Sequence, residues 1–159
     1  MEFKTMRRLD KVRRIIIHHS SSDFGSAEEF HKWHRARGWS GIGYHYVIGN
    51  GEGAGDGEIQ IGRLSLYQGA QCKSNNSDSI GVVLVGSFNN KYPTDEQMKS
   101  LIELLATLCF VHKIDPTGRY ALKGGFKVSG HRDWNQTDCP GNKFYKLLPE
   151  IRKQIAVKL

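Results

Sequence analysis

Cysteine is scarce in this chain, and the scarcity excludes one way a small protein holds itself together. Cys72, Cys109 and Cys139 are odd in number and form no CxxC pair, so a disulfide framework is not expected and synthesis in a reducing compartment, the cytoplasm, is. Long apolar runs are missing near the N-terminus as well. Only Ile15, Ile16 and Ile17 stand there uninterrupted, far short of the core of a secretory signal or a membrane span. Neither a signal peptide nor membrane insertion is expected, and a target outside the membrane would require some other delivery. There is also no internal repeat, low-complexity linker or compositional boundary, so residues 1–159 read as one domain, a monomer, with 1–13 as a basic lead-in.

Acidic residues are the minority charge, 16 against 23 Lys and Arg, which leaves a formal net charge of +7. That balance favours attraction to polyanions such as nucleic acid, anionic lipid or an acidic cell wall without choosing among them. The basic residues form one visible cluster, Arg7, Arg8, Lys11, Arg13 and Arg14, readable either as a wall-binding tail or as a solvated lead-in. No helix-turn-helix pattern, zinc-finger spacing or aromatic RNA-binding signature accompanies the charge, so no nucleic-acid partner is expected.

What is present is strong local patterning. Arg14 to His18 is short and β-branched, a buried strand that delivers His18 to its end. Ser26-Ala-Glu-Glu29 is a capping box, and Phe30, Trp33 and His34 follow at helical spacing up to a Gly38 stop, which predicts a helix over about 27–37. Gly43 to Ile48 alternates as a strand, Gly49-Asn-Gly51 turns, and Glu58 to Ile61 returns. Ser79 to Gly86 has no polar alternation and predicts a central strand covered on both faces. Thr94-Asp-Glu-Gln97 caps a second helix with an apolar stripe from Met98 to Cys109. A last strand over Lys127 to Gly130 leads to His131, and Pro149 opens a C-terminal helix that runs through Val157. Together these predict an α/β fold, a central mixed β-sheet flanked by helices.

Three residues stand out as metal-ligand candidates by placement: His18 at a strand end, and His131 with Cys139 in the loop-rich segment 130–141. Imidazole and thiolate are usual zinc ligands, and three of them leave a fourth tetrahedral position for water. Spacing alone is weak here, because a His eight positions before a Cys (139 − 131 = 8) is no established motif, and each residue reads more readily as a core, capping or turn residue. His19, His31, His34, His45 and His112 read as structural or solvent-exposed, although His31 and His34, three apart on one helix, could bind a metal weakly. By composition Tyr44 is a strand aromatic in the core.

The ordered blocks IIIHHSSSD, HKWHRARGWSGIGYHYVIGNG, SIGVVLVGSF and SGHRDWNQTDCPG, spanning roughly His18 to Pro140, resemble the zinc amidase family that contains phage amidase lysozymes and the peptidoglycan recognition proteins. The resemblance implies a Zn²⁺ cofactor held by His18, His131 and Cys139, and hydrolysis of the amide joining N-acetylmuramic acid to L-alanine in peptidoglycan. It implies catalytic roles for Tyr44 in GYHY and for Thr137, two before Cys139, where members carry Lys or a hydroxyl residue. One departure is Gln71, where the family leads one to expect a histidine beside the substrate groove; this substitution is expected to leave ligation untouched and to bear on substrate positioning or turnover. Trp39, Trp134 and Tyr46 are possible glycan contacts. The implied setting is a phage or prophage endolysin that waits in the cytoplasm and acts on the wall after release. The rival readings are a non-catalytic peptidoglycan-binding module, a thiol hydrolase with Cys139 as nucleophile and His131 as base, and a basic nucleic-acid binder.

Overall fold

The computed structural model describes residues 6–120 and 125–159; residues 1–5 of the basic lead-in lie outside the described residues. Two strands without an exposed side chain form its centre. Strand β1 (Arg14–His19) and strand β4 (Ser79–Leu84) run parallel in the register Arg14↔Ser79 to His19↔Leu84. Short β5 (Val128–Gly130) joins the free edge of β1 in parallel, and β2 (Tyr46–Ile48) joins β4 in parallel. The edge strand β3 (Ile59–Ile61) pairs antiparallel with β2, closing the hairpin that Gly49-Asn-Gly51 signals. The sheet is therefore mixed, in the order β3-β2-β4-β1-β5.

Period-two alternation sends the side chains of each central strand to two differently filled faces. Ile15, Ile17, Ile80, Val82 and Leu84 pack with α2 (Asp95–His112) and α4 (Leu148–Lys158). Val47, Val83 and Val85 meet Phe30 of α1 (Ala27–Ala36) on the opposite face. Both faces of β4 are covered, as its unbroken apolar pattern predicts. The helix starts follow their caps: Ser26 Oγ accepts from Glu29 N–H, and the Thr94–Gln97 box closes in both directions. Pro149 sits in the first turn of α4.

Two local expectations need correction. The strand predicted from Gly43 begins only at Tyr46, because the backbone at 43 and 44 is engaged elsewhere: the carbonyls of Gly43 and Tyr44 accept from Ala70 and Arg63 rather than from a neighbouring strand. A short helix, α3 (Asn142–Tyr145), also appears where no periodicity announced one. The described part of the basic lead-in is no loose tail. Leu9 and Val12 are buried in the core, and Arg7 and Leu9 hydrogen-bond through their backbones to Gln68 and Leu66.

Arg14 plugs the start of β1. It donates to Asp78 Oδ1 and to Asn75 Oδ1, each at 2.9 Å, while its guanidinium carbon stands 4.4 Å from the ring centres of both Tyr120 and Trp134. A buried guanidinium needs such complete pairing, since an unpaired charge there is strongly destabilising. Trp134 also donates from Nε1 to Ser129 Oγ at 2.7 Å, so the start of the 131–139 loop is tied to the sheet.

Candidate metal centre

Strand alternation decides which of the paired histidines of β1 faces this centre. His19 turns toward the helical core, where its Nδ1 accepts from Phe88 N–H. His18 turns to the other face, with its ring centre 4.6 Å from that of His131 and 5.1 Å from that of Tyr44. His131 opens a single 3-10 turn (His131–Asp133) directly after β5, the neighbour of β1. Cys139 returns on the same loop, held by Arg132 N–H donating to its carbonyl and by its own N–H donating to Thr137 Oγ1 at 3.2 Å.

The donor atoms of His18, His131 and Cys139 all lie within 4.8 Å of one another, and Cys139 Sγ is 3.6 Å from His18 Nδ1. Among the described residues this is the one group of His, Cys, Asp or Glu side chains gathered in this way. Tetrahedral zinc, with bonds of about 2.0 to 2.3 Å, places its ligand atoms roughly 3.3 to 3.8 Å apart, so two imidazoles and a thiol at this spacing fit such an ion with little movement.

Side-chain amides settle which ring nitrogens are free. Gln71 Nε2 donates to Ser79 Oγ at 2.9 Å, and Ser79 donates onward to the Asn75 carbonyl at 2.6 Å. Gln71 therefore turns Oε1 toward His18 Nε2, at 2.5 Å, and that nitrogen must carry the proton. The lone pair of His18 Nδ1 is left facing Cys139. His131 is handled in the same way: Asn135 donates from Nδ2 to the carbonyls of Lys73 and Trp134, so its Oδ1 accepts from His131 Nε2 at 2.9 Å. A ligating histidine commonly gives its second N–H to such a partner, which fixes tautomer and ring orientation. Gln71 reaches His18 because β4 carries glycine opposite it: a Cβ at Gly81 would stand 2.5 Å from Gln71 Cγ.

The electrostatics are those of a buried neutral set. Burial holds His18 down to about 3, with the neighbouring His131 adding to the effect, and lowers His131 as well. Burial pushes the Cys139 thiol up to about 12. Neutral imidazole nitrogens are the form a cation can take, and a buried thiol releases its proton only in exchange for a positive ligand. Tyr44 is raised well above its ordinary value, first by burial and then by the proximity of Cys139, so its hydroxyl keeps its proton.

Beside the cluster runs a groove of about 800 Å³ whose wall includes His131, Gln71, Trp39 and Trp134. Tyr46 does not belong to it; its ring packs against the opposite, helical core, on the same face as Ile48, because the strand begins only at Tyr46 and regular alternation does not extend back to Tyr44. Gln71 lines the groove as expected, and it also touches His18, a contact with a candidate ligand that the sequence did not suggest. His31 and His34 are structural, accepting from the N–H groups of Ile42 and Gly43. The supporting residues Asn135 and Ser79 escaped sequence reasoning: an amide or hydroxyl in a loop or strand carries no signal of a partner that only folding brings near.

A sequence profile of the N-acetylmuramoyl-L-alanine amidase family matches residues 8–142. The chain belongs to that family. Among relatives of this amidase-family chain, the endolysin of Enterobacteria phage T3 is 37% identical over 134 residues, covering 79% of this chain and 78% of the endolysin. Peptidoglycan-recognition protein LB of Drosophila melanogaster is 31% identical over 143 residues, 82% of this chain, and the match spans 55% of that longer protein. Among solved structures, the N-acetylmuramoyl-L-alanine amidase LysC from Clostridium intestinale superimposes with a TM-score of 0.80 at 31% identity, covering 94% of this chain and 89% of LysC. Among the described residues no helix is long and apolar enough to cross a bilayer.

Proposed function

We propose that this chain is a zinc-dependent N-acetylmuramoyl-L-alanine amidase, which cleaves the amide between N-acetylmuramic acid and L-alanine of peptidoglycan. The observation that carries the reading is the convergence of His18, His131 and Cys139 beside the groove, with both imidazoles oriented by carboxamide side chains. Zinc, when bound, supplies Lewis acidity that polarises a carbonyl and acidifies water to a pKa of about 7.

The chain's own residues supply the rest. Tyr44, still protonated at neutral pH, donates a hydrogen bond to oxygen as negative charge develops on it. The Thr137 hydroxyl accepts from Cys139 N–H, which leaves its own proton to donate toward the same oxygen; it cannot supply the positive charge a lysine would. Gln71 cannot shuttle a proton at neutral pH and Tyr44 keeps its own, so the leaving amine takes its proton from the water that adds to the carbonyl. Trp39 and Trp134 offer aromatic surface to sugar or peptide. An endolysin setting, with release from the cytoplasm onto the wall, is supported by the similarity to the phage T3 enzyme. A thiol-hydrolase reading is disfavoured because the Cys139 thiol is pushed up to about 12 and its sulfur adjoins His18 rather than the base assigned in that reading, His131.

The test is mass spectrometry of peptidoglycan incubated with the protein, with and without a zinc chelator. Stem peptides with a free L-alanine amine, lost on chelation and restored by zinc, are expected. Wall binding without cleavage would replace the enzyme by a recognition module, and chelator-resistant cleavage would return the thiol mechanism.

A further inference from the structure

The far end of the sheet carries a second concavity that the amidase reading does not use. It encloses about 340 Å³, floored by Val12, Ile114 and Tyr120 and rimmed by the cations Lys11, Arg13, Lys113, Arg119 and Lys127. Among the described residues no Asp or Glu lines it. Among the described residues, Lys11, Arg13, Lys113 and Lys127 have no carboxylate within salt-bridge distance. Asp78 is engaged by Arg14 and the Tyr120 hydroxyl; Asp115, which accepts from the backbone and hydroxyl of Thr117, feels the charge of Lys127 without coming within salt-bridge distance of it. Like charges brought together from three stretches of chain repel one another, so their convergence around one hollow costs stability unless an anion enters.

Backbone strain at the same place is a second observation. Lys113, the C-cap of α2, is left-handed (φ 56°, ψ 46°), a position at which glycine or asparagine is the unstrained choice. A lysine there offsets the negative end of the helix and also adds a cation to the rim. We propose that this pocket is a binding site for a phosphate group, the anionic group shared by soluble phosphates and by anionic lipid headgroups. It lies at the start of β1, about 16 Å along the strand from His18, so an anion held there leaves the metal cluster untouched.

The test uses the full chain with two probes, inorganic pyrophosphate and vesicles of phosphatidylglycerol in phosphatidylcholine, at fixed salt. Binding is read by amide resonance shifts at Ile114 and Lys127 and by co-sedimentation. The paired variant Lys113→Gly with Lys127→Gln is compared with a control pair of equal charge loss outside the pocket, Lys32→Gln with Lys99→Gln. Because glycine suits the left-handed cap, Lys113→Gly keeps the fold, and an unchanged thermal midpoint verifies it. The pocket pair is expected to weaken binding roughly fivefold per cation removed, about 25-fold in all, with the control pair close to the unmodified chain. A response to pyrophosphate alone assigns a soluble phosphate, and a response to vesicles assigns a headgroup; both support the site. Equal loss in the two pairs overturns it as diffuse charge, and tighter binding to duplex DNA than to either probe overturns it in favour of a nucleic-acid surface.

Discussion

At the end of β1, His18 is buried beside the buried Cys139 and the half-buried His131; at its start, Arg13 stands in solvent with Lys11, Lys113, Arg119 and Lys127 around it. The same strand thus connects two sites of opposite chemistry. Burial at one end suppresses charge on imidazole and thiol alike and leaves lone pairs aimed inward, which suits a cation. Exposure at the other end lets cations remain charged at modest cost, which suits an anion. Arg14 separates the two, a buried charge that is satisfied because Asp78, Asn75 and two aromatic rings enclose it.

The largest expected effect tests whether the buried end is a reaction centre at all. Tyr44→Phe is expected to lower stem-peptide release roughly 10²- to 10³-fold while zinc content stays unchanged, since it deletes a single donor and no ligand. A rate within tenfold of the unmodified chain would remove Tyr44 from the chemistry.

The contrast in burial also predicts a difference in acid response. His45 is fully buried, accepting at Nδ1 from Gly81 N–H and contacting the Tyr67 carbonyl through Nε2, and burial holds it down to about 4. As pH falls below about 6.5 the unfolded chain takes up a proton that folded His45 refuses, so stability declines from there down to about pH 4 and then levels off. The contribution is about 3 kcal/mol, measurable by urea unfolding across that window, and His45→Asn should flatten the slope. A slope that His45→Asn leaves unaltered would break this side of the comparison.

Orientation by side-chain amides predicts a smaller effect. Gln71→Leu leaves His18 Nε2–H without its acceptor and is expected to weaken zinc binding roughly 10- to 100-fold, as read by competition with a chromophoric chelator. Gln71→Glu keeps an acceptor at the same reach and should stay within a few-fold of the unmodified chain. Equal affinities in all three would reduce Gln71 to a packing residue of the groove.

Much of this was legible before folding, for reasons that differ by element. The strands β1 and β4 and the helices α1, α2 and α4 announce themselves because apolar periodicity and capping boxes are interactions over a few residues. His18 and His131 could be placed at strand ends for the same reason. The proposed ligand set came from resemblance, since His18 and Cys139 are 121 positions apart and no local spacing connects them. Gln71 was read as a groove residue, and its hold on His18 remained invisible because it depends on a glycine of β4 and on Ser79 across the sheet.

By itself, the sequence determined the long strands β1 and β4, the helices α1, α2 and α4, the faces they bury and that basic charge exceeds acidic charge, because those are consequences of short-range pattern and composition. Only the tertiary structure decided which nitrogen of His18 and of His131 is free, that Tyr46 turns away from Tyr44, and that five cations from three stretches of chain share one hollow. Those outcomes depend on hydrogen-bond direction and through-space distance, which exist only once the chain has closed on itself.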